Sequence, residues 1–106
     1  MRVLVTGATG FIGRALCPAL VATGHEVAVV VRNSDNPTIP ERATVHVIPA
    51  IGPETEWDQP LSGMDAVIHL AARAHVMEEH VRDPMGEFNR VNAEGTGRLT
   101  SAAAKA

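Results

Sequence analysis

Apolar residues along the chain gather into four short runs, each bounded by polar or turn-forming residues. The first run is RVLVT at 2–6, and the others lie within 25–33, at 45–48 and at 66–70. A run without polar alternation is typical of a strand buried on both faces, as in a parallel sheet. The segment 49–63 holds three prolines and two glycines, so it is predicted to be mostly loop.

Two segments have the spacing of helices instead. From 11 to 23, apolar residues recur every three to four positions, and Gly24 follows where a C-terminal cap belongs. Pro18 within this helix removes one backbone hydrogen bond. Asp83 and Pro84 suit an N-cap and a first helical position, so a second long helix is predicted from there to the end.

The order of elements predicts the fold class. A strand, a glycine turn, a helix, three further strands and a last helix indicate an α/β protein with a parallel sheet covered by helices. Right-handed crossovers place the strands in the order 3-2-1-4, which is half of a doubly wound sheet. The closing residues TSAAAKA favour a helix and contain no stop signal, so we expect 1–106 to be the N-terminal part of something longer.

Composition narrows the class of protein. The 106 residues are 45% hydrophobic and 20% charged, as in an ordinary globular domain, and the net charge is -3. We therefore expect no nucleic-acid partner, and no apolar run approaches the ~20 residues that a membrane span needs. Cys17 is the single cysteine, which excludes an internal disulfide, and the N-terminus does not have the pattern of a signal peptide. These features predict a cytoplasmic protein.

The stretch LVTGATGFIG, residues 4–13, places three glycines between the first strand and the first helix. Such a turn suits a diphosphate, because a helix N-terminus offers free N–H groups and a partial positive charge. Gly7 would allow the tight turn, Gly10 would let the pyrophosphate approach the backbone, and Gly13 would let the helix lie close to the strand. A purely structural turn that needs positive φ explains one glycine well and three poorly.

Three motifs, TGATGFIG, VIHLAA and VNAEGTGRL, resemble the extended short-chain dehydrogenase/reductase family, and within it the NAD-dependent epimerase/dehydratase group that acts on nucleotide-activated sugars. HLAARAHVMEE is similar to the nucleoside-diphosphate-sugar 4-epimerases of bacterial surface-polysaccharide synthesis. The resemblance extends over essentially the whole chain. It implies a Rossmann-like fold, NAD or NADP as cofactor, a nucleotide-sugar substrate for the full-length enzyme, and often a homodimer.

The resemblance also implies which residues hold the cofactor. The glycine turn and the end of the fourth strand match the family at Gly7, Gly10, Phe11, Ile12, Gly13, Leu70, Ala71 and Ala72. The hydroxyl of Thr9 would contact the cofactor or cap its own turn. Asn92 matches a helix residue near the cofactor; the alternative is an asparagine bonded to the main chain of a neighbouring element.

The adenosine end of the cofactor is where the chain departs from the family. Relatives that prefer NAD carry an acidic residue at the end of the second strand, where this chain has Arg32. An arginine could pair with the 2′-phosphate of NADP, so the sequence leans slightly to NADP; the alternative is a solvated arginine. Ala50 replaces an aspartate that binds the adenine amino group in many relatives, which leaves Ile51 to pack against the ring.

No metal or catalytic residue is predicted in the chain. Its five histidines lack partners at zinc-site spacing, and His69 is expected to be a hydrogen-bonded core residue. Hydride transfer in the family depends on a tyrosine, a lysine four residues later and a serine or threonine, which supply an acid/base poised near neutral pH. The chain contains no tyrosine, so it is expected to be inactive by itself.

Two classes of function therefore stay open. The chain is either the cofactor-binding portion of a nucleotide-sugar epimerase or dehydratase, or a non-catalytic NAD(P)-binding regulatory module of the same fold. Redox-sensing regulators of the second class often carry an arginine at the end of the second strand. The sequence favours the first class.

Overall fold

The computed structural model describes residues 1–32, 39–48, 51–71 and 90–106. The strands in these residues are β1 (Arg2–Thr6), β2 (Glu26–Val31), β3 (Thr44–Val47) and β4 (Ala66–His69). The helices are α1 (Phe11–Ala22), the single turn α2 (Asp58–Leu61) and α3 (Gly95–Lys105), which a π-helical turn (Arg90–Glu94) precedes.

The four strands form one parallel sheet in the order β3-β2-β1-β4, which confirms the predicted order. Thr6, at the end of β1, pairs with Val30 of β2 on one side and with His69 of β4 on the other. Because all strands run in the same direction, their carboxyl ends lie along a single edge of the sheet. The chain order reverses between β1 and β4, and parallel sheets bind ligands at such a switch point.

Helices cover both faces of the sheet, because successive side chains of each strand point to opposite sides. On the α1 face, the buried core consists of Val3, Val5, Ala8, Cys17, Val27, Val29 and Val31. On the face of α2 and α3, it consists of Leu4, Ala28, Val30, Trp57, Leu61 and Leu99. Burial raises the pKa of the Cys17 thiol, as expected of a small core residue. None of the helices in the described residues has the length and apolar character needed to cross a bilayer.

The prediction that 49–63 is mostly loop is confirmed for the described residues 51–63, except for one helical turn. Residues Asp58–Leu61 form α2, which places Trp57 and Leu61 in the core. A single turn that contains a proline carries too few apolar positions for periodicity to reveal it. The predicted start of the last helix at Asp83 lies outside the described residues. The described part begins with the π-helical turn rather than with regular α-helix.

Candidate functional site

Gly7 and Gly13 build the turn between β1 and α1. Gly7 has a φ of +71°, in the region that favours glycine, and a Cβ on it would lie 2.6 Å from the backbone nitrogen of Ala71. A Cβ on Gly13 would overlap the carbonyl oxygen of Gly7 and lie 2.7 Å from the Cα of Ala8. Gly7 thus lets the turn contact the end of β4, and Gly13 lets α1 contact the turn.

Gly10 differs from Gly7 and Gly13, because neither a positive φ nor a close contact with the described residues requires glycine there. Its backbone is extended, with φ -77° and ψ -179°, a conformation that any residue adopts. A Cβ on it would meet only the carbonyl oxygen of Gly7, at 3.4 Å. Neither the conformation of Gly10 nor its packing against the described residues requires glycine, so the space beside it suits a ligand that approaches the backbone.

The N-terminus of α1 is open to an anion. Gly10 is its N-cap and supplies no side-chain cap, and the first turn contains no acidic residue. The N–H of Arg14 makes the first intrahelical bond, to the carbonyl of Gly10 at 2.9 Å. The N–H groups of Phe11, Ile12 and Gly13 come before it and have no intrahelical acceptor. With the positive end of the helix dipole, they form a site for a phosphate group.

The side chains around this helix end leave its backbone accessible. Phe11 is 85% exposed and Ile12 is also exposed, so neither side chain covers the N–H groups. Thr9 is exposed and makes no hydrogen bond within the described part of the chain, so it does not cap the turn there. A contact between the Thr9 hydroxyl and the cofactor stays a prediction.

A buried hydroxyl joins the glycine turn to the end of β4. Thr6 is fully buried, and its Oγ1 accepts hydrogen bonds from the backbone N–H groups of Leu70, at 3.1 Å, and Ala71, at 3.2 Å. Sequence reasoning assigned no role to Thr6. The sequence does contain a signal for it, which is a polar residue at the last position of a buried strand. A buried hydroxyl without a hydrogen bond there would lower the stability of the fold, so a partner is expected.

His69 continues this connection across the fold. Its Nδ1 lies 2.6 Å from the Oγ1 of Thr6, and its Nε2 lies 3.0 Å from the Oγ1 of Thr96 in α3. The prediction that His69 is hydrogen-bonded is therefore confirmed, but the residue is half-buried at the end of β4 and does not belong to the core. Burial lowers the pKa of His69, which favours the neutral imidazole. Within the described ranges, no group of three or more acidic, histidine or cysteine residues could hold a metal ion.

Of the remaining predicted residues, the structure describes Arg32, Ile51, Leu70, Ala71 and Asn92. Arg32 is exposed and directly follows β2, on the side of the carboxyl ends. Leu70 and Ala71 are half-buried beyond β4, and Asn92 is half-buried in the π-helical turn. Ile51 packs against the core around Leu4, so part of its side chain already has a partner. Ala50 and Ala72 lie outside the described residues.

Comparison with known proteins identifies the family. Residues 3–106 match the NAD dependent epimerase/dehydratase family. The UDP-glucose 4-epimerase of Vibrio cholerae is 32% identical over 102 residues, which are 95% of this chain and 30% of that protein. The structure of the UDP-glucose 4-epimerase of Thermotoga maritima with UDP-glucose is 30% identical and has a TM-score of 0.80, over 99% of this chain and 34% of that one.

A third relative was solved with a dinucleotide. MoeE5, in complex with UDP-glucuronic acid and NAD, is 30% identical and has a TM-score of 0.75, over 99% of this chain and 33% of that one. The chain thus spans about a third of the length of the relatives it matches. The match extends over nearly the whole chain, and the resemblance drawn from the three motifs is confirmed. The chain belongs to the NAD-dependent epimerase/dehydratase family.

Proposed function

We propose that this chain is the cofactor-binding portion of a nucleotide-sugar epimerase or dehydratase that works by transient hydride transfer to NAD(P). Gly10 carries the proposal, because it is a glycine that neither its φ nor its packing requires, beside an uncapped helix N-terminus. A dinucleotide pyrophosphate is an anion that needs close approach to backbone N–H groups, which this geometry allows. The relatives solved with NAD or a UDP-sugar support the same assignment.

Different residues of the chain would bind different parts of the cofactor. The N–H groups of Phe11, Ile12 and Gly13 would hold the pyrophosphate, with the hydroxyl of Thr9 beside it. Leu70 and Ala71, with Ala72 after them, would border the nicotinamide-side ribose, and a bulky residue at Ala71 should block its approach. Asn92 would face the cofactor from the π-helical turn, a rare geometry that is frequent at functional sites. When bound, the nicotinamide would accept and return the hydride.

Chemistry on the sugar needs groups beyond these. The chain contains no tyrosine, so the acid/base that the family uses would have to come from outside residues 1–106. We infer that the chain by itself binds cofactor without turnover. Relatives solved with UDP-sugars support a nucleotide-sugar substrate, and the composition of the chain supports a cytoplasmic location. A role in polysaccharide synthesis and a homodimer follow from the resemblance.

Gly10→Val is expected to weaken dinucleotide binding without unfolding the protein. The valine Cβ would meet only one backbone atom, yet its side chain would occupy the space of the pyrophosphate. We expect the Kd for NADH or NADPH to rise at least about tenfold, equivalent to about 1.4 kcal/mol. Energy transfer from Trp57 to the bound reduced nicotinamide measures it, with the unfolding temperature as the test of folding. Ala15→Val, at an exposed position of α1, is the matched control. Equal affinities for wild type and Gly10→Val would refute the assignment of this turn.

Arg32→Ala is expected to weaken NADPH binding and to leave NADH binding unchanged. The guanidinium is exposed beyond β2, where it would pair with a 2′-phosphate. Loss of one charge-assisted contact corresponds to about a tenfold rise in the Kd for NADPH. Parallel titrations with both cofactors measure this, and Arg42→Ala, another exposed arginine that precedes β3, is the control. If Arg32→Ala changes neither Kd, Arg32 is a solvated residue and the preference for NADP has no basis.

A non-catalytic NAD(P)-binding regulatory module is the second candidate. The arginine beyond β2 favours it. The coding sequence after residue 106 separates the two candidates, because Tyr-x-x-x-Lys some tens of residues later would supply the catalytic pair. For the complete protein, interconversion of UDP-glucose and UDP-galactose is the activity to assay first.

A further inference from the structure

Three side chains form a continuous hydrogen-bonded path from β1 through β4 to α3. The Oγ1 of Thr6 contacts the Nδ1 of His69 at 2.6 Å, and the Nε2 of His69 contacts the Oγ1 of Thr96 at 3.0 Å. We call these three residues the Thr–His–Thr path. The proposed cofactor contacts use none of them, although the path joins the elements that carry those contacts.

The direction of each proton in the path follows from counting donors and acceptors. A hydroxyl has one proton and two acceptor lone pairs. The Oγ1 of Thr6 accepts from the N–H of Ala71 and shares the N–H of Leu70 with the backbone oxygen of Thr6. Among the described residues, the Nδ1 of His69 is the one contact of this buried hydroxyl that can accept its proton. The hydroxyl proton of Thr6 is therefore directed to the Nδ1 of His69, which must be unprotonated. The Nε2 of His69 then carries the ring proton and donates it to the Oγ1 of Thr96. The imidazole is neutral and held in one tautomer.

This arrangement of protons affects the hydrogen bonds on both sides of the His69 imidazole. If the Nδ1 of His69 did not accept its proton, the Thr6 hydroxyl would rotate towards another acceptor and lose one of its two backbone N–H partners. The segment Leu70–Ala71 would then be held less firmly against Gly7. On the other side, the Nε2–H of His69 ties down Thr96, four residues after Asn92 in the same run of helix.

We propose that His69 is a positioning residue for the dinucleotide, which fixes the spacing between the Leu70–Ala71 segment and the helix that carries Asn92 through the ordered path from Thr6 to Thr96. The inference rests on the proposed function, since it assumes that these two segments border the cofactor. It adds that the side chain of His69, which does not touch the cofactor, controls the distance between these two segments.

Nitrogen-15 spectra of the histidine rings test the order of protons. In the labelled protein, His69→Gln identifies the signals of His69 among the five histidines. At neutral pH we expect the pattern of the Nε2–H tautomer, with Nδ1 unprotonated. The Nδ1–H tautomer, or a doubly protonated ring, would overturn the path as described, because the hydroxyl proton of Thr6 would then have no acceptor among its contacts in the described residues.

Thr96→Val tests the effect on the cofactor. Valine keeps the shape of threonine and removes the acceptor for the Nε2–H of His69, so we expect the Kd for the dinucleotide to rise about tenfold. Thr96→Ser restores the hydroxyl and should bind within about twofold of wild type. Thr100→Val is the matched control, because within the described part of the chain the Oγ1 of Thr100 bonds only to the backbone oxygen of Thr96, at 2.8 Å.

The outcomes separate this inference from the proposed function. If wild type binds neither NADH nor NADPH, the proposed function fails, and the positioning role fails with it. If wild type binds and Thr96→Val binds equally well, only the positioning role is overturned. A weakened Thr96→Val that Thr96→Ser does not rescue would also overturn it, since the hydroxyl would not be the cause. Unfolding temperatures of all variants show whether each one folds.

Discussion

Gly13→Ala is expected to destabilise the protein by about 3 kcal/mol or more, at the upper end of the cost of overpacking. The added Cβ would overlap the carbonyl oxygen of Gly7 and approach the backbone of Ala8 to 2.7 Å. Both neighbours are main chain, so no flexible side chain can move aside, and the start of α1 must shift away from the turn. Urea denaturation followed by the fluorescence of Trp57, which is 1% exposed, measures the change.

Gly97→Ala is the control for the intrinsic effect of the substitution. Gly97 lies in α3, is exposed, and has nothing within 4 Å of the position where a Cβ would lie. Alanine should stabilise the helix here by about 0.8 to 1 kcal/mol, because glycine is a poor helix former. Gly13 also lies within a helix, so alanine there brings the same gain in helix propensity. The difference in free energy of unfolding between Gly13→Ala and Gly97→Ala therefore measures the steric clash. If Gly13→Ala were as stable as Gly97→Ala, α1 would not lie against the turn as described.

Leu4→Ala is expected to cost about 3 to 5 kcal/mol, because a fully buried leucine leaves a cavity when it is truncated. Leu4 is 0% exposed on β1, which lies between β2 and β4, and it belongs to the core beneath α2 and α3. A domain of this size is stabilised by only about 5 to 15 kcal/mol, so the variant should lose a large part of its stability. The urea midpoint measures the loss.

Val47→Ala provides the comparison on the edge of the same sheet. Val47 is 56% exposed on β3, which has a neighbour on one side only, so truncation should change stability by about 0.5 kcal/mol or less. Comparable shifts of the urea midpoint for Leu4→Ala and Val47→Ala would contradict the assignment of Leu4 to the core.

The three glycines of the turn serve three different purposes. Gly7 supplies a positive φ and contact with β4, and Gly13 supplies contact between α1 and the turn. Gly10 supplies neither, which is why we assign it to a ligand. The sequence pattern predicts the tight turn at Gly7 and the close approach of α1 at Gly13, but it does not predict the contact of Gly7 with Ala71. That contact joins residues 64 positions apart, and no local pattern encodes it.

Local pattern by itself determined the strands, the first helix and their order in the sheet. The apolar runs of β1 and β2 predict burial on both faces, and the handedness of crossovers limits how such strands can be arranged. The glycine spacing before α1 likewise predicts the turn, because it reflects steric needs within ten residues. The family follows from the same short motifs, read in order along the chain.

Tertiary structure alone decided the rest. It formed α2, whose residue Leu61 and preceding residue Trp57 are buried in the core, and it revealed the π-helical turn before α3. It also joined Thr6, His69 and Thr96, whose hydrogen bonds connect three elements and depend on the register of the folded sheet. The spacing of apolar residues predicts which side of each segment faces the core. Which buried polar groups form hydrogen bonds with each other is fixed only when the segments pack together.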